Sequence, residues 1–243
     1  MISMSKLKKV LKKIYIKSTQ KVAHLRKTVD CNSEWYGGEY AGFYVFPDIL
    51  NEQSIVYSIG IGRDISFDTA IMDKHKCKVF AFDPTPKSID WIKSQILPNN
   101  FHFNEFGIGP KTEDTVFYLP VNDEHISGSL EKHSNVAENR SVKVHIKSLK
   151  DIANHLGHKH IDVLKMDIEG SEYDIIESIL NSDLIIDQIL IEFHDRFFKD
   201  EIPKSVTSIN KLREKGYEIF AVSDLYEEVS FIRKPALEQF SRA

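Results

Sequence analysis

Four short runs in this 243-residue chain end in residues able to do chemistry. The first, Ile55-Val56-Tyr57-Ser58-Ile59, stops at Gly60-Ile61-Gly62, and the second, Val79-Phe80-Ala81-Phe82, stops at Asp83 and Pro84. Two glycines at such a junction let a ligand approach main-chain N–H groups that a Cβ would block. A carboxylate 23 residues after Gly60 is placed to accept the hydroxyls of a ribose. The third run, His160 to Asp167, leads into Glu169, and the fourth, Asp187 to His194, ends in Glu192 and His194 with Asp195 next. Carboxylates beside an imidazole are the residue types of proton transfer near neutral pH.

The elements that must position these groups follow from periodicity. The β-rich runs alternate with segments of helical spacing, and Pro86 and Pro203 suit first helical turns. The expected fold is therefore α/β, with a mostly parallel sheet and helices on both faces. Ligands of such sheets sit outside the carboxyl ends of the strands, so Gly60, Gly62, Asp83, Asp167, Glu169, Glu192 and His194 are expected to converge. Ile65 stands where a dinucleotide fingerprint has its third glycine, which argues for a ligand with a ribose but no pyrophosphate. S-adenosylmethionine fits that description. The order strand, GxG, helix, strand, acid resembles motifs one and two of the class I methyltransferases.

Composition narrows the rest. The chain is long enough for one α/β domain, carries a formal charge of −4, and holds only Cys31 and Cys77, too few for a disulfide framework or a cysteine-rich zinc site. Residues 6–27 contain nine Lys or Arg and no acid. They are expected to form a basic amphipathic helix from Ser5 to about Thr28 that docks on its own domain, on a sister subunit, or peripherally on an anionic membrane. The remainder is acidic and lacks the basic footprint of a nucleic-acid binder. With no run of 18 apolar residues and no signal-peptide core, the expected location is cytoplasmic.

Between Trp35 and Val45 five aromatics and three glycines crowd together. Tyr36 and Tyr40 there are candidate contacts to a sugar face, with packing of the segment onto the core as the alternative. Val116–Leu119 and Val142–Ile146 lack an intervening helix and predict an inserted hairpin, whose loop with Ser129 either closes over the site or is plain surface. Tyr217–Val222 and Val229–Ile232 predict a closing strand pair, and the last ten residues read as a tail.

The runs DVLKMDIEGSEYDII and ILIEFH, set behind SIGIGRDISFD and FAFDPTP, resemble the FkbM family of S-adenosylmethionine-dependent methyltransferases over about residues 33–222. The resemblance implies a Rossmann-like class I fold with seven strands over residues 33–243, preceded by the helical extension of residues 1–32. It implies O-methylation of a hydroxyl on a nucleotide-linked sugar, a glycan precursor or a secondary metabolite.

It also implies roles. Gly60 and Gly62 lie under the methionine part, Asp83 and Pro84 beside the ribose, and Glu105 and Gly107 beside the adenine. Motif one usually has an acid two residues before the first glycine; here Ser58 stands there, and Asp64 either supplies the charge or caps the next helix. His194 is the first candidate base, unless it serves only to bond Asp167 or Glu169; Asp167 is the second, and Glu192 faces the acceptor. Asp167, Glu192, His194 and Asp195 also resemble in placement the ligands of magnesium-dependent O-methyltransferases. Two rivals are a nicotinamide-dependent oxidoreductase and a non-catalytic scaffold that keeps the fold.

Overall fold

The structure is a computed structural model and describes residues 22–121, 128–131 and 136–242. Two short strands, β1 (Glu34–Tyr36) and β2 (Phe43–Val45), pair antiparallel ahead of the main sheet. Then β3 (Ile55–Ile59), α1 (Ser66–His75), β4 (Lys78–Phe82), α2 (Pro86–Lys93) and β5 (Phe101–Asn104) alternate. An insertion comes next, made of β6 (Gly107–Ile108), β7 (Glu113–Pro120) and β8 (Val136–Lys147). Alternation resumes through α3 (Leu149–Leu156), β9 (His160–Met166), α4 (Glu172–Leu180), β10 (Ile185–Glu192) and α5 (Lys204–Glu214), and the chain closes with β11 (Tyr217–Val222), β12 (Glu228–Arg233) and α6 (Lys234–Arg242).

The main sheet has seven strands in the order β11-β12-β10-β9-β3-β4-β5. Only β12 runs against its neighbours, so six strands share one direction and present their carboxyl ends along one edge. The order reverses at β3, whose neighbours are β4 on one side and β9 on the other, and a crevice opens where the loops after these strands part. This is the expected class I methyltransferase sheet.

Alternation along the strands builds a core on each face. Tyr57, Ile59, Leu164 and Met166 face the side covered by α3, α4 and α5, whereas Val56 and Val163 face α1, α2 and the β1–β2 pair. Local signals end the helices. Ser148 accepts the N–H of Asp151 at the start of α3, and Gly157 in the left-handed region stops it.

Several expectations change. The inserted hairpin is longer than the apolar runs suggested and joins β6 in a sheet of three strands, because polar residues continue the ladder where both faces are half exposed. The last ten residues are not a tail: Lys234–Arg242 is helical, Ala236 is buried, and Phe240 meets Phe46 edge-on at 5.3 Å.

Residues 1–21 of the expected basic helix lie outside the described residues. Between Val22 and Thr28 the chain is not helical: residues 22–24 form a turn, Leu25 is buried in the core, and Thr28 pairs with the backbone of Ile219 in the edge strand β11. Among the described residues no helix is long and apolar enough to cross a membrane.

Candidate active site

A cavity of about 410 Å³ lies at the carboxyl edge of the sheet, where β3, β4 and β9 end. Its floor is the turn after β3. Gly60 has φ +76°, and a Cβ there would stand 1.7 Å from the carbonyl oxygen of Asp167. That contact brings the ends of β3 and β9 together and admits no side chain. Gly62 also has positive φ, at +52°, but the space beside it is open and faces the cavity.

Asp83 fastens this turn. One carboxylate oxygen accepts the N–H groups of Ile61 and Gly62 at 3.1 and 3.0 Å, and the other accepts that of Thr85 at 2.8 Å. Burial pushes its carboxyl above the usual carboxylate range, against the pull of those donors. It lines the cavity, with Pro84, and shapes the turn.

Asp64 lines the cavity and accepts the N–H of Ser66, the first residue of α1, at 2.7 Å; the N-cap position itself is Ile65, so Asp64 is not the cap and its carboxylate stands at the cavity. Ser58 does not reach the cavity. Strand alternation turns it into the sheet face below α1, beside the buried Asp68. Its cross-strand partner in β9 is Lys165. This lysine is buried, donates to the carbonyl oxygens of Ile59 and Gly60, and lines the cavity beneath the turn. Sequence reasoning passed over it, although a lysine among Val163, Leu164 and Met166 breaks an otherwise apolar buried strand.

The opposite end of the cavity is apolar. Pro84, Gly107, Ile108, Phe117 and Ile146 enclose it, with the last four supplied by the inserted sheet. A Cβ on Gly107 would come within 3.0 Å of Pro84, which keeps that wall close. Glu105 is elsewhere: its carboxylate pairs with Lys93 at 2.7 Å and is half exposed, because the bend between β5 and β6 points it outward. A cavity with an acid and a cation at the glycine turn and an apolar cleft at the other end fits S-adenosylmethionine. Asp64 would hold the ammonium, Lys165 the carboxylate and Asp83 the ribose.

The far wall carries the acids expected at β9. Asp167 and Glu169 both line the cavity. Glu169 is a non-glycine residue at φ +52°, a conformation that costs of order 1–3 kcal/mol and needs outside support. Ser129 gives it: its hydroxyl donates to the Glu169 carbonyl oxygen at 2.7 Å, tying the inserted sheet to this loop. Ser129 is fully buried in that role and does not face the cavity, whereas its neighbours Gly128 and Leu130 do. Of the loop around it, His125, Ile126 and Ser127 lie outside the described residues.

His194 and Glu192 stand behind this wall, not in it. His194 is 1% exposed, and its Nδ1 lies 2.7 Å from Glu172. Burial alone would lower its pKa, but Glu172, Glu192 and Asp167 outweigh that and push it up to about 10. Buried and outside the cavity lining, His194 does not reach an acceptor held there, so it is no free base. Burial and the neighbouring Asp167 push Glu192 up to about 8, while Arg196 donates to it at 3.1 Å. Asp195 turns away, accepting from the Tyr173 hydroxyl and from Ser205.

At the mouth, Tyr40 is 80% exposed and lines the cavity. Tyr36 is in the core instead, with its hydroxyl 2.9 Å from His75, since alternation in β1 points it inward.

Comparison with known proteins places the chain in a family. A family model described as the methyltransferase FkbM domain matches residues 54–219. The human protein named probable methyltransferase-like protein 24 is 28% identical over 204 residues, covering 79% of this chain and 49% of its own length. Its rat counterpart is 26% identical over the same span and shares. This chain thus spans about half the length of these relatives. Among solved structures, the Methanococcus jannaschii fibrillarin pre-rRNA processing protein aligns at a TM-score of 0.47 and 15% identity, covering 77% of this chain and 68% of the other. Aeropyrum pernix fibrillarin with natively bound S-adenosyl-L-methionine aligns at 0.41 and 10%, covering 86% and 85%. Likenesses of that size bear on neither substrate nor mechanism. The family match runs from the strand before the glycine turn to β11 and takes in every strand end that forms the cavity, and on that ground the chain belongs to the FkbM family of S-adenosylmethionine-dependent methyltransferases.

Proposed function

We propose that this chain methylates a hydroxyl group of a sugar, in a nucleotide-linked sugar or a glycan precursor. The observation that carries the reading is the placement of Asp167 and Glu169 on the same cavity wall as the glycine turn. A hydroxyl must lose its proton as its oxygen gains a methyl group, and two carboxylates at that wall supply the acceptor; a neutral amine would need none. Tyr40 at the mouth adds an exposed ring of the kind that stacks on a sugar face.

Bound S-adenosylmethionine supplies an electrophilic methyl group on a sulfonium. The chain does the rest by position. Gly60 and Gly62 keep the floor free of side chains, while Lys165 and Asp64 offer opposite charges to the amino-acid end. Asp167 and Glu169 orient the acceptor oxygen and take its proton. Alignment of two reactants in this way is worth up to about 7–11 kcal/mol. His194 acts through these carboxylates as a positioning residue.

The test is mass spectrometry of a nucleotide-sugar and glycan panel incubated with the protein and a cofactor carrying a deuterated methyl group. The expected product is a sugar bearing one labelled methyl group on oxygen. Labelling confined to phenolic or other non-sugar acceptors would move the reading to a secondary metabolite. Cofactor binding with no product from any acceptor would favour the non-catalytic scaffold.

A further inference from the structure

Behind the cavity wall two buried polar atoms are unpaired, Nε2 of His194 and Oε2 of Glu172, and methyl transfer uses neither. The Nδ1 of His194 faces Glu172 Oε1 at 2.7 Å, and that oxygen also accepts the N–H groups of Ile168 and Gly170, each at 3.2 Å. Glu172 is fully buried and anchored, so it makes Nδ1 the donor nitrogen of the ring. The other nitrogen, Nε2, is buried and has no hydrogen-bond partner. It points at three carboxylates, with Glu169 Oε2 and Glu192 Oε1 at 3.4 Å and Asp167 Oδ1 at 3.8 Å.

These spacings are longer than the roughly 2.7–3.2 Å of a good N–H···O bond. They do match donor atoms arranged around an ion. A metal about 2.0–2.2 Å from each donor in tetrahedral geometry holds the donors about 3.4 Å apart. Donor atoms of Asp167, Glu192 and His194 all lie within 4.8 Å of one another.

We propose that Asp167, Glu192 and His194, with Glu169 beside them, bind one divalent transition-metal ion of the zinc or manganese type. Glu172 is the carboxylate that orients the imidazole, an arrangement common behind metal-bound histidines. A mixed imidazole and carboxylate set suits those ions, whereas magnesium favours oxygen alone. Asp195, engaged by Tyr173 and Ser205, is no part of the site. Arg196 shares Glu192 Oε1 and competes with the ion for its charge. The inference rests on the cluster's own geometry and holds whichever acceptor the cavity takes.

Cobalt(II) is the probe, added to the chelator-treated 243-residue chain, with zinc and manganese binding followed by elemental analysis after dialysis. About one equivalent should be retained, with a visible ligand-field band and a raised unfolding temperature. Glu192→Gln and His194→Gln should each weaken binding at least about tenfold, as should Glu172→Gln through loss of ring orientation. His160→Gln, at the opposite end of the same strands, should leave it unchanged. If His194→Gln does not fold, Glu192→Gln and Glu172→Gln decide. Retention well below one equivalent in the unmodified chain, or a cobalt band that survives these variants, overturns the proposal.

Discussion

Strands β9 and β10 carry a histidine and two acids at each end, and the two triplets differ in everything but composition. At the amino ends, His160 meets Asp187 at 2.7 Å, Arg233 meets the other Asp187 oxygen at 2.8 Å, and Asp162 accepts from Ser54 and from the N–H of Ile55. Each carboxylate oxygen there has a donor, and His160 is half exposed. At the carboxyl ends, His194 is buried with one nitrogen unpaired, and one oxygen of Glu172 is unpaired as well. Satisfied polar groups near water hold a fold together; buried unsatisfied ones, left at the edge where ligands bind, mark a place kept ready for something else.

The largest effect that sharpens this contrast is expected from Gly60→Ala. The added Cβ would collide with the Asp167 carbonyl that seats the carboxyl-end cluster, at a cost of about 4 kcal/mol or more, and chemical denaturation should show a chain barely folded or unfolded. Gly62→Ala meets only open space and a strained φ, so roughly 1 kcal/mol should be lost together with cofactor affinity, read by calorimetric titration.

Next in size is Asp167→Asn, which should lower turnover at least about 100-fold while leaving cofactor affinity within about threefold. An equal loss of both would place Asp167 in cofactor binding and not in proton transfer. The matching change at the other end, Asp187→Asn, should leave turnover alone and cost about 1–3 kcal/mol in urea unfolding, since it strips His160 and Arg233 of their partner. Turnover lost in Asp187→Asn would erase the distinction between the two ends.

The smallest effect concerns pH. The hydrogen bond to Asp187 holds His160 above its ordinary 6.5, so its contribution is complete below that pH and is lost as pH rises through the raised value. Burial would raise Asp187, but His160 and Arg233 pull it below its ordinary 3.8; its contribution is complete above that pH and is lost on acidification. The difference in stability between the natural chain and His160→Gln should therefore be present in weakly acidic buffer and absent in alkaline buffer. It should stay under about 1 kcal/mol because solvent screens a half-exposed pair.

Much of the site was legible one strand at a time. Gly60, Gly62, Asp83, Asp167 and Glu169 come directly after apolar runs, and a residue just past a strand end has little choice but to face the crevice. Residues inside or beside an element were harder to read. Ser58 and Tyr36 are turned inward by alternation, Glu105 is thrown outward by a bend, and Ser129 spends its hydroxyl on a loop 40 residues away in sequence. Lys165 carried a signal, a charge inside a buried strand, but its use depends on Gly60 and Ile59 lying across the ladder.

By itself the sequence determined the alternation of strands and helices in the main sheet, the glycine turn and the row of acids at the strand ends, because alternation, breakers and caps act over a few residues. The tertiary structure alone decided what each acid does. Whether His194 is a base or a buried partner of four carboxylates depends on distances between α4, β9 and β10, and these exist only once the sheet has closed around it.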